Sequence, residues 1–205
     1  MTGYFVVFEG GEGAGKSTQE ALLADALRVR GLTVVQTREP GGTPAGEAIR
    51  RVVLSPEFAG LDVRAEALLF AAARGEHADK VIRPALDRGD VVICDRYLDS
   101  SVAYQGFARG LGPKRIRDLS LWATQELVPD LTIVLDIDPV EGLGRFEERD
   151  RLEAEPMEYH RQVRAAFLAL AEEDPDRYLV LHAHEDREVI AEAILERVLQ
   201  GIDGS

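Results

Sequence analysis

Asparagine is missing altogether from this chain, lysine occurs only at positions 16, 80 and 114, and cysteine only at 94. The first absence removes any Asn-Lys-x-Asp motif, through which guanine-specific switch proteins usually read their base. The second is read as codon composition, and it leaves arginine to carry most of the positive charge. A single cysteine excludes an internal disulfide, and Cys94, inside an apolar run, is expected to be a buried strand thiol in a reducing compartment. A net charge of −13 and a pI near 4.8 argue against nucleic-acid binding, which needs a broad basic face. No charged-then-apolar leader opens the chain and no apolar run approaches membrane-spanning length, so no membrane partner and a cytoplasmic location are expected. Repeats, low-complexity tracts and linkers are lacking too. The 205 residues, 45% apolar and 30% charged, suit one α/β domain spanning 1–205.

What is present is organised around Gly10-Gly11-Glu12-Gly13-Ala14-Gly15-Lys16-Ser17. It reads G-x-x-x-x-G-K-S, preceded by the β-branched and aromatic run Tyr4–Phe8. After it, Leu22, Leu23, Ala26, Leu27 and Val29 recur at helical spacing. A strand entering a glycine loop and leaving as a helix is the context a phosphate-binding loop requires. Glycines let successive N–H groups converge on one anion at the positive end of the helix dipole. Lys16 reaches terminal phosphates, and the Ser17 hydroxyl, with Thr18 beside it, can ligate Mg²⁺. The loop holds a nucleoside triphosphate.

Strand character recurs at Tyr4–Phe8, Leu32–Thr37, Val91–Cys94, Leu131–Leu135 and Tyr178–Leu181. Helical stretches intervene at Ser17–Arg30, Ala45–Leu54, Val63–Arg88, Lys114–Leu127, Val140–Arg149, Pro156–Glu173 and Glu188–Leu199. The alternation predicts a three-layer α/β sandwich around a five-stranded parallel sheet, with ligands at the carboxyl ends of its strands.

Strand ends are therefore the places to look for chemistry. Thr37-Arg38-Glu39-Pro40-Gly41-Gly42-Thr43 sets Arg38 and Glu39 on a tight turn beside the loop, where arginine suits bidentate phosphate capture. Arg50 and Arg51 follow on the next helix, one facing phosphate and the other solvent. Val91–Asp95 ends in a carboxylate fit to organise magnesium, directly or through water, with Arg96 next to it. Asp99–Gly106 brings hydroxyls, Tyr104 and the Gln105 amide onto a local helical segment, a wall able to hold a base and a sugar. Phe70 and Arg74 share a helix face, although Leu68-Leu69-Phe70 by itself reads as core. Arg145, Arg149 and Arg151 read alone as a solvated helix end. Beside a phosphate loop, a short insertion near 147–156 reads instead as a lid supplying cationic donors.

Together, Gly10–Ser17, the Thr37–Gly42 turn, Asp95-Arg96-Tyr97 with Ser101, Tyr104, Gln105 and Gly106, and Pro129-Asp130-Leu131-Thr132 resemble the bacterial thymidylate kinases. The resemblance runs from Phe5 to about Ala171. It implies a P-loop fold of the nucleoside monophosphate kinase type, with Mg-ATP as donor and dTMP as acceptor. It further implies that Glu12 contacts the nucleotide sugar or the ion and its waters. Arg38, Glu39, Arg50 and Arg96 match positions around the acceptor phosphate and magnesium. Phe70 matches the residue stacked on thymine, against its reading as core. Arg74 matches one meeting a thymine carbonyl, and Ser101 and Gln105 match base contacts. Tyr104 matches the tyrosine packed where a ribose 2′-hydroxyl would lie. The loop Glu12-Gly13-Ala14-Gly15 holds no arginine, so the resemblance places the catalytic arginine in the lid, at Arg151 or Arg149, with Lys16 and Arg96 as the other catalytic cations. Family members are commonly homodimers. Rival readings are a kinase for another monophosphate or deoxynucleoside, a nucleotide-dependent switch, and a remodelling ATPase.

Overall fold

The computed structural model describes residues 3–145 and 149–204. Five strands form one parallel sheet: β1 (Tyr4–Gly10), β2 (Val34–Arg38), β3 (Val91–Asp95), β4 (Leu131–Asp136) and β5 (Tyr178–His182), in the order β2-β3-β1-β4-β5. β1 lies at the centre, pairing Phe8 with Asp95 on one side and Gly10 with Leu135 on the other. Because side chains alternate along a strand, its two faces feed two cores. Tyr4, Val6 and Phe8 pack with Leu23 and Leu27 of α1 (Lys16–Val29) and with Ile190, Ile194 and Val198 of α9 (Arg187–Asp203). Phe5 and Val7 face the opposite layer, where Cys94 is fully buried. That layer holds α3 (Val63–His77), α4 (Arg83–Asp87), α6 (Pro113–Thr124) and α8 (Met157–Glu173). The remaining helices, α2 (Pro44–Leu54), α5 (Leu98–Ser101) and α7 (Pro139–Gly144), border the carboxyl edge of the sheet. The three layers and five parallel strands are those read from the sequence. Among the described residues no helix is long and apolar enough to cross a membrane.

Several element boundaries differ from expectation, the last helix running on to Asp203 and α6 ending at Thr124, and three of the differences have a local reason. The stretch Val63–Arg88 is not one helix: α3 passes through a π-helical turn at Ala78–Ile82 before α4. Pro84 has no N–H to donate and its ring crowds the carbonyl four residues back, so the spiral widens ahead of it. β2 starts at Val34 and not Leu32, because the Leu32 N–H is spent on the Leu27 carbonyl (3.2 Å) past Gly31, in a Schellman-type end to α1. α7 stops at Gly144 and does not continue to Arg149, its last turns weakened by Gly142 and Gly144. The lid expected near 147–156 is described only from Arg149 on; Glu147 and Glu148 lie outside the described residues.

Candidate active site

β1 delivers the chain into the glycine loop at the carboxyl edge of the sheet, where strand order reverses and parallel sheets open a crevice. The loop packs backbone to backbone against α7. A Cβ on Gly13 would lie 2.4 Å from the Gly142 carbonyl oxygen, and one on Gly142 only 2.1 Å from that of Glu12. Lys16 opens α1 and is buried, its Nζ donating to the carbonyls of Gly11 (3.1 Å) and Gly10 (3.3 Å). Burial pulls the Lys16 amine below its ordinary value, and the Arg96 charge adds to that. Ser17 and Thr18 are exposed at the helix start, and both line the cleft. Opposite them Asp95 keeps one buried oxygen, Oδ1, without a hydrogen-bond partner.

β3 ends on a residue forced into an uncommon shape. Arg96 has φ +67°, left-handed for a residue that carries a Cβ, and its N–H donates to the Phe8 carbonyl at 2.9 Å. That bend turns the guanidinium over the loop. Nη2 donates to Glu12 Oε1 (2.6 Å) and Nη1 to the Gly10 carbonyl and Ser100 Oγ (both 3.1 Å). The Tyr104 hydroxyl donates to the same Glu12 oxygen at 2.8 Å, and the Arg96 guanidinium lies 5.3 Å from the Tyr104 ring centre. Burial would raise the Glu12 carboxyl, but Arg96, Lys16 and these hydrogen bonds outweigh it and bring it down to about 2. Arg96 moves the other way: burial opposes its charge, yet Glu12, Tyr104, Asp95 and Glu9 together hold it well above its ordinary range.

The far wall of the cleft, whose volume is about 390 Å³, holds Arg38, Glu39, Arg50, Phe70, Ser101 and Gln105. Arg50 donates to the Pro40 carbonyl at 2.9 Å, beyond a cis Glu39–Pro40 peptide. Burial and then the neighbouring Arg38 lower its affinity for a proton. Arg38 is half exposed and pairs with Glu47 at 3.0 Å. Glu39 is buried, accepting from Arg74 Nε at 2.7 Å and facing His77 Nδ1 at 3.1 Å. Phe70 fronts the cleft while Arg74, one turn on, lies beneath the wall. It is only 1% exposed, and its guanidinium donates to Ser101 Oγ, Ser120 Oγ and the Tyr97 carbonyl at 3.0–3.1 Å.

A glycine loop with clustered cations thus faces an aromatic and amide wall across one cleft. A family model described as thymidylate kinase matches residues 8–194. The chain belongs to the thymidylate kinase family. Similar relatives include thymidylate kinases of Cutibacterium acnes and Leifsonia xyli. The first is 52% identical over 97% of both chains. The second is 55% identical over 94% of this chain and 92% of its own. The fold is also similar to a crystal structure of thymidylate kinase from Ehrlichia chaffeensis, with a TM-score of 0.80 and 35% identity over 98% of this chain and all of that one.

Within this thymidylate kinase fold the candidate lid arginines divide. Arg145 lines the cleft and donates to the Gly13 carbonyl and to Glu141, both at 2.6 Å. Arg149 is exposed and does not line the cleft. Arg151 turns away from the cleft: it is buried, with Nη1 on Glu66 (2.7 Å) and Nε on the Val53 carbonyl (2.8 Å). Here Arg151 neutralises a buried carboxylate, and Arg145 is the guanidinium that stands at the loop. The lid residues that do meet the cleft are Asp150, Leu152 and Glu153. Asp150 and Glu153 close a reciprocal turn, Oδ1 accepting from the Glu153 N–H (2.9 Å) and Oε2 from the Asp150 N–H (2.9 Å).

Sequence reading missed Ser100 and Glu9. Ser100 was visible only as one hydroxyl among several. Glu9 was hidden inside an apolar strand, yet it is fully buried and supports the Arg96 turn. Its Oε1 accepts from the Tyr97 and Ser100 N–H groups at 2.9 and 3.0 Å, and its Oε2 from Ser100 Oγ at 2.6 Å. Burial pushes the Glu9 carboxyl up to about 7 against the pull of Arg96, with Asp99 adding to the rise. A carboxyl raised in this way holds its proton in the folded state at pH values where the unfolded chain has released it. Its contribution therefore declines as pH rises from the unfolded value through about 7. Glu9→Gln, whose amide can satisfy the same partners, removes that decline. Unfolding both proteins from pH 5 to 8 should show wild type losing on the order of 3 kcal/mol relative to the variant. A gap independent of pH would refute the titration.

Proposed function

We propose that this protein transfers the γ-phosphoryl group of ATP, with Mg²⁺, to the 5′-phosphate of dTMP, giving dTDP on the route to dTTP. The observation that carries the reading is one cleft with the phosphate loop and Arg96 at one end and Phe70, Ser101 and Gln105 at the other. The first group suits a polyphosphate; the second suits a flat base with polar edges. Family membership narrows that base to thymine.

The nucleophile is a phosphate oxygen that is already anionic near neutral pH, so the chemistry needs no general base. What it needs is two polyanions held in line and the spreading negative charge neutralised. Lys16 serves the donor's terminal phosphates, Arg96 lies between the loop and the acceptor end, and Arg145 supplies the cation at the outer face of the loop. Arg38 and Arg50 hold the acceptor phosphate. The Ser17 hydroxyl and the unspent Asp95 oxygen form an all-oxygen donor pair suited to Mg²⁺, which when bound neutralises charge between phosphates. Arg74, Ser101 and Glu39 keep the base wall rigid.

The direct test is ADP release from ATP with dTMP compared against dUMP, dCMP, dAMP and dGMP. The highest kcat/KM is expected for dTMP; a higher value with any other acceptor would replace the reading with that kinase.

Tyr104 tests the sugar end. Its ring packs edge-on against Tyr159 and Phe167, 6.0 and 6.3 Å between centres, and so stands fixed beside the cleft. Tyr104→Ala should lower kcat/KM for dTMP and narrow its preference over ribothymidine monophosphate by about tenfold. A deoxy-to-ribo ratio that does not change assigns the ring to packing alone.

The proposal extends to assembly. Leu68 of α3 and Trp122 of α6 are 58% and 78% exposed on two helices that pack together, an apolar surface suited to a second copy of the chain. Light scattering is expected to give twice the 22.5 kDa chain mass, and Trp122→Lys to give monomers.

A further inference from the structure

We propose that Glu66, which lies outside the cleft, fixes the choice of base by holding the Gln105 amide in one orientation. The proposal rests on the dTMP reading above. Glu66 sits on α3 with none of its surface exposed. Gln105 Nε2 donates to Glu66 Oε1 at 2.8 Å. Arg151 Nη1 stands on Oε2 at 2.7 Å, and Arg109 donates to both oxygens at 3.4 Å.

Every group around this carboxylate is a donor, and an ionised carboxylate offers only lone pairs. If the Gln105 amide turned over, its carbonyl oxygen would meet Glu66 Oε1 in a buried site, and two acceptors would face each other without a proton between them. The NH₂ end is therefore held on Glu66. Gln105 lines the cleft whereas Glu66 does not, so the edge offered to the substrate is the acceptor Oε1. The same argument identifies what that edge selects. Thymine carries an N–H donor at ring position N3. Cytosine carries a lone pair there, and its approach brings two acceptors together. A glutamine free to rotate would accept both, because its amide can present either end. Glu66 is thus a positioning residue: it touches no substrate, and its effect reaches the base through Gln105.

The geometry also explains why the base wall and the lid segment share one carboxylate. Arg151 and Arg109 both donate to Glu66 and hold it in place, so that its oxygens stay turned toward donors.

The experiment compares kcat/KM for dTMP and dCMP, with saturating ATP, in wild type and Glu66→Gln at a temperature where both are folded. The new amide can face Gln105 with either its oxygen or its NH₂, which frees the Gln105 flip. The dTMP-to-dCMP ratio should fall about tenfold or more, the value of one oriented hydrogen bond against a mismatch. An equal fall for both acceptors makes Glu66 merely structural and overturns the proposal. A second arm needs no variant. The unmodified protein is given 3-deaza-dTMP, which has C–H at ring position 3, and should use it at least tenfold less well than dTMP. Use of the analogue as readily as dTMP overturns the proposal even if Glu66→Gln does not fold. An unmodified protein that does not prefer dTMP at all would instead bring down the dTMP reading, and the proposal with it.

Discussion

Arg96→Ala loses phosphoryl transfer by roughly a hundredfold to a thousandfold in kcat, the cost of one preorganised donor aimed at developing charge. The guanidinium occupies the point where the phosphate loop, Glu12 and the acceptor end meet, 2.6 Å from Glu12 and 3.1 Å from the Gly10 carbonyl. Its removal acts twice. The transferring group loses a cation, and Glu12, brought down to about 2 chiefly by this neighbour, is left beside Lys16 and Tyr104 alone. Some stability is lost too, so the comparison must be turnover per folded molecule. Two further variants separate the roles. Arg96→Lys keeps the charge without the two-pronged fork, and should recover only part of the rate. Arg96→Gly should be no less stable than Arg96→Ala, because the position has φ +67° and only glycine adopts it without strain. Turnover preserved in Arg96→Ala, with nothing but a lowered melting temperature, would make the residue a structural partner of Glu12.

The other large effect is expected from a residue that has no side chain of its own. Gly142→Ala places a methyl group 2.1 Å from the Glu12 carbonyl oxygen, and the obstacle is backbone, which cannot rotate aside. Either α7 moves outward or the loop moves inward, by an ångström or more. Displacement on that scale in a site that works by alignment costs on the order of a hundredfold in rate. The loss should appear in kcat as well as in the affinity for ATP, because Lys16 and the loop N–H groups shift with Glu12. Gly144→Ala is the control. Nothing lies within 4 Å of its added carbon, so it should leave the kinetics near wild type. Kinetics in Gly142→Ala indistinguishable from that control would mean that the contact between loop and α7 does not hold the site in register.

Much of the fold was legible because it is written in short-range patterns. Alternating apolar residues mark strands, three-to-four spacing marks helices, and the glycine loop marks the turn between the first of each. The errors were local ones of the same kind. Pro84 splits a helix whose apolar spacing continues through it, and Gly31 hands Leu32 to a helix end. Phe70 shows the limit of such reading. It is buried as its apolar neighbours suggest, and it also forms the cleft wall, two roles that one pattern cannot distinguish.

The sequence by itself determined the order of elements, the phosphate loop with Lys16 and Ser17, and the acid and arginine that end β3. Each of these is set by residues within a few positions of one another. Only the tertiary structure decided which arginines face the cleft. Arg145, Arg149 and Arg151 stand in one charged stretch and look alike there. Arg145 lies on the loop through Gly13, whereas Arg151 is drawn under the wall by Glu66, 85 positions earlier in the chain. A buried carboxylate needs a partner more than a solvated guanidinium needs any particular direction. The same holds for Arg74, taken up by Glu39, and for Glu9, whose task is to hold up the Arg96 turn. The cost of burying charge is settled between distant elements when they pack, and there the arginines were divided between the cleft and the scaffold.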